Sequence, residues 1–285
     1  MKDHINIFDY KKRKYSRIGN DGIIKFILDT IGIKKGIFVE FGAWDGILNS
    51  NCRGLFENGW QGIFIEPDKE RYKKLKKNYR EYEDRVSCIN SLVGIKRNDL
   101  FDNIVDPYLE GKNIDFCSID IDGLDLEVFE TFKKYLPTVI CIEGGYAFHP
   151  YHKRIKKKIA KRDVGQPLKV IVDVFESRSY KLLCCYQDCF FVKKEFFHFF
   201  NVSEDLLTLY FDGLRARPLL LTYAHEHTSK VRKNNSIADY ILDRTEYKKY
   251  KFKKRKQWAK EKSNSIMELI NEKEKIEKRY IMKYY

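Results

Sequence analysis

Short apolar runs alternate with amphipathic segments between Gly36 and Lys194. The first five runs are almost continuously apolar, which is typical of strands covered on both faces of a sheet. The segments between them repeat apolar residues at helical spacing, as in "DKERYKKLKKNY" and "LDLEVFETFKKY". This alternation predicts βαβ units around a mostly parallel sheet. The predicted strands are residues 36–42, 61–67, 85–94, 114–122, 138–144, 180–186 and 189–194.

The last two predicted strands are joined differently from the others. Only Gln187 and Asp188 lie between them, too few residues for a crossover helix, so the spacing predicts a hairpin with an antiparallel strand. Before the sheet, the run "DGIIKFILDTIG" predicts one helix that covers the first strand. Residues 144–165 interrupt the alternation after the fifth strand, where open α/β sheets place substrate loops. We expect acceptor specificity to lie in this loop.

The alternation stops at about residue 200, so we divide the chain into a domain at 1–200 and a C-terminal extension at 201–285. Residues 231–285 hold 17 Lys and Arg against 8 Asp and Glu. The runs "YKKYKFKKRKQWAKEK" and "SIMELINEKEKIEKRYIMKYY" predict basic helices, the second with Ser265 as N-cap and Glu268 three residues on. The extension is therefore predicted to be basic and mainly helical.

The amino-acid composition indicates a folded protein with an excess of positive charge. The 285 residues are 43% hydrophobic and 15% aromatic, enough for a sizeable core, and the formal net charge is +14. Seven basic residues lie within 153–162, inside the predicted substrate loop. Such charge favours an anionic partner: nucleic acid, a membrane surface, or an acidic or phosphorylated glycan carrier. A charged surface that only maintains solubility is the equally weighted alternative.

Cysteine usage and hydropathy bear on the compartment. Most of the seven cysteines lie inside apolar runs such as "DFCSID" and "VICIE", as buried reduced thiols do. The cluster "CCYQDC" lacks the paired spacing of zinc ligands. The start "MKDHINIFDYKKRK" lacks the apolar core of a signal peptide, and no membrane-length apolar stretch occurs. We expect a cytoplasmic protein, with peripheral contact at the inner membrane face as the only membrane association.

The residues that end the predicted strands are acidic. The first strand ends in "EFGAWDG", where glycines allow a tight turn and the carboxylates of Glu40 and Asp45 can engage amines or hydroxyls. The dinucleotide pattern G-x-G-x-x-G is absent. An acidic turn without a phosphate cradle suits a cationic ligand. Glu66 follows the turn by about twenty residues, the offset of an acid that holds a ribose.

The runs "EFGAWDG", "IEPD" and "SIDIDG" resemble, in order and spacing, class I S-adenosylmethionine-dependent methyltransferases. The longer run "DGIIKFILDTIG…FVEFGAWDG…NGWQGIFIEPD" is similar to their FkbM-like branch, and the resemblance spans roughly residues 15–195. It implies a Rossmann-like seven-stranded sheet of order 3-2-1-4-5-7-6, flanked by helices, with the final strand antiparallel. The cofactor contacts it implies are Glu40, Gly42 and Asp45 on the methionine side, Glu66 on the ribose, Asn90, Ser91 and Leu92 beside the adenine, Asp120 near the sulfonium, and Ser50 and Asn51 at the next helix.

Three carboxylates are expected to converge beside the transferred methyl group. Asp120 and Asp122 project to one face of the fourth strand's tip, and Glu143 ends the strand that neighbours it in the implied order. Three interpretations stay open. In the first, the carboxylates are ligands of a divalent cation, Mg or Mn, that acidifies a hydroxyl. In the second, Asp122 or Glu143 is a general base, together with His149 or His152 from the following loop. In the third, Asp122 caps a helix that starts at Leu124.

The predicted function is O-methylation of a sugar hydroxyl in a cell-surface glycan or its precursor, the substrate class implied by the FkbM-like resemblance. The acceptor is expected to be anionic or lipid-linked. One alternative is a methyltransferase of RNA or another nucleic acid, favoured by the basic and aromatic interleaving but not by the run "DIDG" after the fourth strand. Another is a non-catalytic basic binding protein. The extension is expected to pack on the core, mediate homo-oligomerisation or bind an anionic membrane.

Overall fold

The computed structural model describes residues 4–144, 148–154, 165–217, 220 and 263–284. Most of the basic run at 153–162 lies outside these ranges, and the basic aromatic run at 247–262 lies wholly outside them.

The centre of the fold is a seven-stranded sheet of order β3-β2-β1-β4-β5-β7-β6. The first five strands pair in parallel, and β7 is antiparallel to both of its neighbours. The predicted Rossmann-like sheet, its order and its hairpin are confirmed. The strands are β1 (Ile37–Phe41), β2 (Gln61–Ile65), β3 (Val86–Ile89), β4 (Phe116–Ile119), β5 (Val139–Glu143), β6 (Tyr180–Cys185) and β7 (Asp188–Lys193).

Helices cover the sheet. The predicted helix before β1 is confirmed as α1, and the helix after β2 begins at an N-cap, Asp68, whose side chain accepts the N–H groups of Glu70 and Arg71. The helix after β4 begins at Asp125 and ends at Phe129, one residue later and several residues shorter than predicted. The helices are α1 (Asn20–Thr30), α2 (Arg53–Glu57), α3 (Lys69–Tyr79), α4 (Phe101–Leu109), α5 (Asp125–Phe129), α6 (Leu168–Glu176), α7 (Leu206–Ala216) and α8 (Ser263–Tyr284).

Stacked aromatic rings form part of the core around α4, α5 and α6. Phe101 and Phe132 stack at a centroid distance of 4.0 Å, and Phe129 and Phe175 also stack at 4.0 Å. Phe175 stacks in turn on Phe191 of β7 at 3.8 Å. Each such pair contributes about 0.5–1.5 kcal/mol beyond the burial of its apolar area. The stack of Phe175 on Phe191 packs α6 against the sheet.

The C-terminal helix α8 packs on α7. Ile270 is fully buried, and the guanidinium of Arg215 on α7 donates to Asn271 and Glu274 of α8. Ser265, predicted as the N-cap, lies inside α8, which already includes Ser263. The domain boundary near residue 200 stays a prediction. Within the described ranges, no helix combines the length and the apolar character needed to cross a membrane.

Candidate functional site

A cavity of about 300 Å³ opens at the carboxyl ends of the central strands. Open α/β sheets bind their ligands at this edge, and a volume of this order suits a small molecule. Its wall combines residues of the loops after β1, β2, β3 and β4 with the segment before α1 and the β6–β7 turn. The lining residues are Arg17, Ile18, Asn20, Glu40, Phe41, Gly42, Ala43, Trp44, Leu48, Asn49, Ser50, Asn51, Ile65, Pro67, Arg71, Ser91, Leu92, Val93, Asp120, Ile121, Asp122, Gln187 and Asp188.

Glu40 on β1 fixes the loop that leads into α2. Its carboxylate accepts the hydroxyl of Ser50 at 2.5 Å and the backbone N–H of Asn51 at 2.8 Å. Burial raises the pKa of Glu40 to about 7, although these hydrogen bonds favour the ionised form. Ser50 in turn accepts the N–H of Arg53, the first residue of α2, at 2.9 Å. The structure thus gives Glu40 a positioning role as well as a place in the cavity wall.

A buried hydrogen-bond chain continues from Asn51 across the cavity floor. The amide of Asn51 donates to Ser118 of β4 at 3.0 Å and accepts from Asn20 of α1 at 2.9 Å. Asn20 also donates to Asp188 at 2.5 Å and accepts the hydroxyl of Tyr186. A satisfied buried network of this kind rigidifies a site. It joins the β1 loop to the start of α1 and to the β6–β7 turn.

Backbone strain is concentrated at the cavity. Trp44, Asn49 and Asp122 line it and have positive φ angles of 54°, 59° and 56°. Such conformations cost on the order of 1–3 kcal/mol each and cluster at functional sites. Gly42 has φ +77°, and a Cβ there would lie 1.8 Å from the carbonyl oxygen of Asp120. The glycine is therefore required by the close approach of the β4 tip, in addition to any ligand.

Three predicted cofactor residues lie outside the cavity lining. Glu66 is buried and accepts the N–H groups of Trp44 and Asp68 at 2.8 and 2.9 Å. Asp45 accepts two N–H groups of its own turn. Asn90 donates to the carbonyls of Glu66 and Pro67 at 2.8 and 3.1 Å. All three shape the loops that form the wall, and their contacts with a cofactor stay predictions.

The predicted carboxylate cluster is present. One oxygen of each of Asp120, Asp122 and Glu143 lies within 4.8 Å of the others. Asp188 is the register partner of Glu143 in the β5–β7 pair and brings a fourth carboxylate to this edge. Asp125 accepts the N–H groups of Ile121 and Gly123, each at 2.9 Å, and so holds the loop between β4 and α5. The N-cap position of α5 is Leu124, and the predicted capping by Asp122 is wrong.

The burial and crowding of these acids raise the pKa values of Asp120 and Glu143. Asp120 keeps surface that faces the cavity, yet protein surrounds it on the other sides. This desolvation raises the pKa of Asp120 to about 8, and the charges of Asp125, Asp188 and Asp122 add to the rise. Burial, followed by the charges of the same neighbours, raises the pKa of Glu143 well above its ordinary value. The raised pKa of Glu143 favours its uncharged form, whereas Asp120 exchanges its proton at a pH of about 8.

The chemistry of the cluster fits a hard divalent cation, because Mg²⁺ and Mn²⁺ prefer carboxylate oxygens. Asp120, Asp122 and Glu143 would supply the ligands. Exposed acidic groups are also common without a metal, so the divalent cation stays a prediction.

His149 does not lie in the cavity lining or in the carboxylate cluster. Its Nδ1 accepts the N–H of Tyr151 at 3.2 Å, so the neutral ring carries its proton on Nε2. Nε2 lies 3.2 Å from the carboxylate of Glu277 on α8. The hydrogen bond from His149, helped by Lys273, lowers the pKa of Glu277 to about 2. Both ring nitrogens thus have structural partners, and the catalytic role predicted for His149 gains no support from the geometry.

The raised carboxyl pKa values predict an unusual pH dependence of stability. Between their ordinary values and about 7 or 8, folded Glu40 and Asp120 hold protons that the unfolded chain has lost. The free energy of unfolding therefore falls as the pH rises through this window. For the ligand-free protein in a chelating buffer, we expect the melting temperature to fall by roughly 5–10 °C between about pH 5.5 and about pH 8. A flat or rising profile would contradict the assignment.

No protein-family model and no curated protein matches the chain. Among solved structures, M. capricolum TrmK in complex with S-adenosylhomocysteine is 12% identical, with 86% of this chain and 96% of that chain covered and a TM-score of 0.41. A SAM-dependent methyltransferase from Aquifex aeolicus is 14% identical, with 59% and 86% covered and a TM-score of 0.37. The glycopeptide N-methyltransferase MtfA with sinefungin is 9% identical, with 60% and 85% covered and a TM-score of 0.38. At these TM-scores the likenesses carry no argument about reaction or substrate.

Proposed function

We propose that the protein is an S-adenosylmethionine-dependent O-methyltransferase that transfers a methyl group to a hydroxyl of a sugar. The observation that supports it best is the acidic cavity at the strand tips, where Asp120 and Asp122 stand beside Glu143 and Asp188. A cavity lined by carboxylates favours a cationic ligand and can also accept the proton of a hydroxyl. The FkbM-like family assignment and the glycan acceptor belong to this proposal.

The residues present fit the proposed cofactor. The predicted contacts Glu40, Gly42, Ser50, Asn51, Ser91, Leu92 and Asp120 all line the cavity. Carboxylates on the β1 and β4 sides favour a sulfonium and an ammonium group over a phosphate. The cofactor, when bound, supplies an electrophilic methyl group. Asp120 and Glu40 would then face its charged end, and Leu92 and Ser91 would border its base.

Residues of the chain can accept the proton that the acceptor hydroxyl loses during methyl transfer. A carboxylate whose pKa lies near the working pH is a suitable general base, and Asp120 has a pKa of about 8. A bound cation lowers this pKa, because it favours the charged form. Asp120 would accept the hydroxyl proton while the neighbouring Asp122 accepts a hydrogen bond that orients the acceptor. The raised pKa of Glu143 disfavours a further negative charge beside this pair.

Methylation of nucleic acid is the second candidate. It is favoured by the net charge of +14, much of which lies in the C-terminal extension. Acidic residues at the cavity floor oppose it, because a polyanion must approach four carboxylates. A hydroxyl of a sugar therefore remains our first proposal.

Cofactor binding is tested by thermal shift. We expect S-adenosylmethionine and S-adenosylhomocysteine each to raise the melting temperature by several degrees, and NAD to leave it unchanged. Glu66→Gln should lose most of this rise relative to its own ligand-free protein, because Glu66 holds the Trp44 turn. Glu70→Gln, on the exposed side of α3, is the matched control. The methyltransferase proposal would be wrong if NAD alone raised the melting temperature, or if none of the three compounds raised it.

The reaction is tested by mass spectrometry of candidate glycans and of RNA, incubated with the protein and a labelled methyl donor. We expect label on a sugar hydroxyl and none on RNA bases. A parallel reaction with a chelator tests whether transfer depends on a metal. Unchanged transfer would contradict a role for a divalent cation. Loss of transfer that Mg²⁺ or Mn²⁺ restores would support that role.

A further inference from the structure

Arg17 lines the cavity on a loop that is held rigid. Asp21, in the first turn of α1, accepts the N–H groups of Lys14, Tyr15 and Ser16 at distances of 2.9–3.3 Å. Ser16 is fully buried and forms a β-bridge with Asn49 of the strained β1 loop. The backbone on both sides of Arg17 is thus fixed before any ligand binds, which lowers the entropic cost of binding.

The guanidinium of Arg17 has no carboxylate partner within ion-pair distance in the described ranges. Arg71, the other arginine of the wall, stacks on Trp44 with its guanidinium 3.8 Å from the ring centroid. Arg71 stands on α3, on the side predicted to hold the cofactor's ribose. Arg17 lines the cavity together with Gln187 and Asp188, and its charge partly offsets the burial that raises the pKa of Asp188. We assign this side of the cavity to the acceptor.

Two further cations lie behind this part of the wall. Arg217 donates to the side chain of Gln187, and Lys11 donates to the carbonyl of Ala216 at 2.8 Å. Burial and then the charge of Arg217 lower the pKa of Lys11. Arg17 and Arg217 both act on the carboxylate of Asp188 at this turn, so two guanidinium groups face a single negative charge and leave an excess of positive charge for an anion.

We infer that Arg17, supported by Arg217 and Lys11, binds an anionic group of the acceptor, a phosphate or carboxylate on the sugar. The inference rests on the proposed function and names its substrate class. Carboxylates on the cavity floor repel an anion, so a charged acceptor needs a fixed cation at the rim. A guanidinium offers paired donors that match phosphate and carboxylate geometry. With the anion held by Arg17, the sugar's hydroxyl can point towards Asp120.

The test uses the full chain saturated with S-adenosylhomocysteine and titrates inorganic phosphate, glucuronate, glucose and a short single-stranded RNA at constant ionic strength. We expect phosphate and glucuronate to bind and glucose not to bind. Arg17→Gln should weaken both anions about tenfold or more, and Arg17→Lys should restore part of the affinity. Arg13→Gln, an exposed arginine of the same segment outside the cavity lining, is the matched control and should bind as the wild type does.

Each other outcome is decisive. Equal binding by the wild type and Arg17→Gln, or no binding of either anion to the wild type, would overturn the anion site. Binding of RNA alone would contradict a sugar acceptor and favour a nucleic-acid acceptor. Arg17→Gln should keep the thermal shift with S-adenosylhomocysteine, which separates the two proposals. If the wild type lacks that shift, the methyltransferase proposal itself fails.

Discussion

Asp120→Asn should reduce methyl transfer to the glycan acceptor by about 100- to 10,000-fold, the loss expected when a general base is removed. The substitution keeps the size of the side chain and removes the group whose pKa of about 8 suits proton exchange near neutral pH. It also removes one of several crowded carboxylates. The ligand-free variant should therefore melt at the same temperature as the wild type or higher. The measurement is the rate of labelled methyl transfer, with melting temperature recorded on the same preparations.

Glu143→Gln is the matched control for this prediction. Burial and the neighbouring carboxylates raise the pKa of Glu143 well above its ordinary value, and a glutamine resembles the uncharged form that this rise favours. We expect transfer within roughly threefold of the wild type. Comparable large losses in both variants would contradict the general-base assignment and favour a shared metal ligand set, since a cation needs both carboxylates. Unchanged transfer in Asp120→Asn would contradict any role of Asp120 in the reaction.

The sheet could be predicted from the sequence because its strands are buried on both faces and therefore read as continuous apolar runs. The two-residue spacing at Gln187 and Asp188 excluded a crossover helix and so predicted the hairpin. Strand β3 is the least well predicted: it ends at Ile89, whereas the apolar run continues to residue 94. It is an edge strand with a single partner, β2, so the burial that marks the inner strands is incomplete there.

The carboxylate cluster could be predicted because parallel strands end at one edge of a sheet. The hairpin spacing places Asp188 in the turn, and the antiparallel direction of β7 places this residue beside Glu143, the last residue of β5. The strand order therefore held enough information to find it. Asn20 could not be found in this way, because its role depends on how α1 packs against the Asn51 loop. The contact of His149 with Glu277 could not be found for the same reason, because the two residues are 128 positions apart in the sequence.

Gly42→Ala should lower the free energy of unfolding by about 2–5 kcal/mol, the sum of a left-handed backbone cost and an overpacking cost. The new Cβ would lie 1.8 Å from the carbonyl oxygen of Asp120, so the β1 turn and the β4 tip must separate. That separation would move Asp120 relative to Glu40 and weaken cofactor binding as well. Denaturant unfolding and the thermal shift with S-adenosylhomocysteine measure the two effects.

Gly32→Ala isolates the steric part of this loss. Gly32 has a nearly identical φ of +79°, and a Cβ there would meet nothing within 4 Å. Its alanine variant should therefore show only the backbone cost, about 1–2 kcal/mol, and should bind S-adenosylhomocysteine normally. The difference between the two variants then measures how tightly β1 and β4 meet at the cavity floor. Equal destabilisation in both variants would contradict the close contact between the β1 turn and the β4 tip at Gly42.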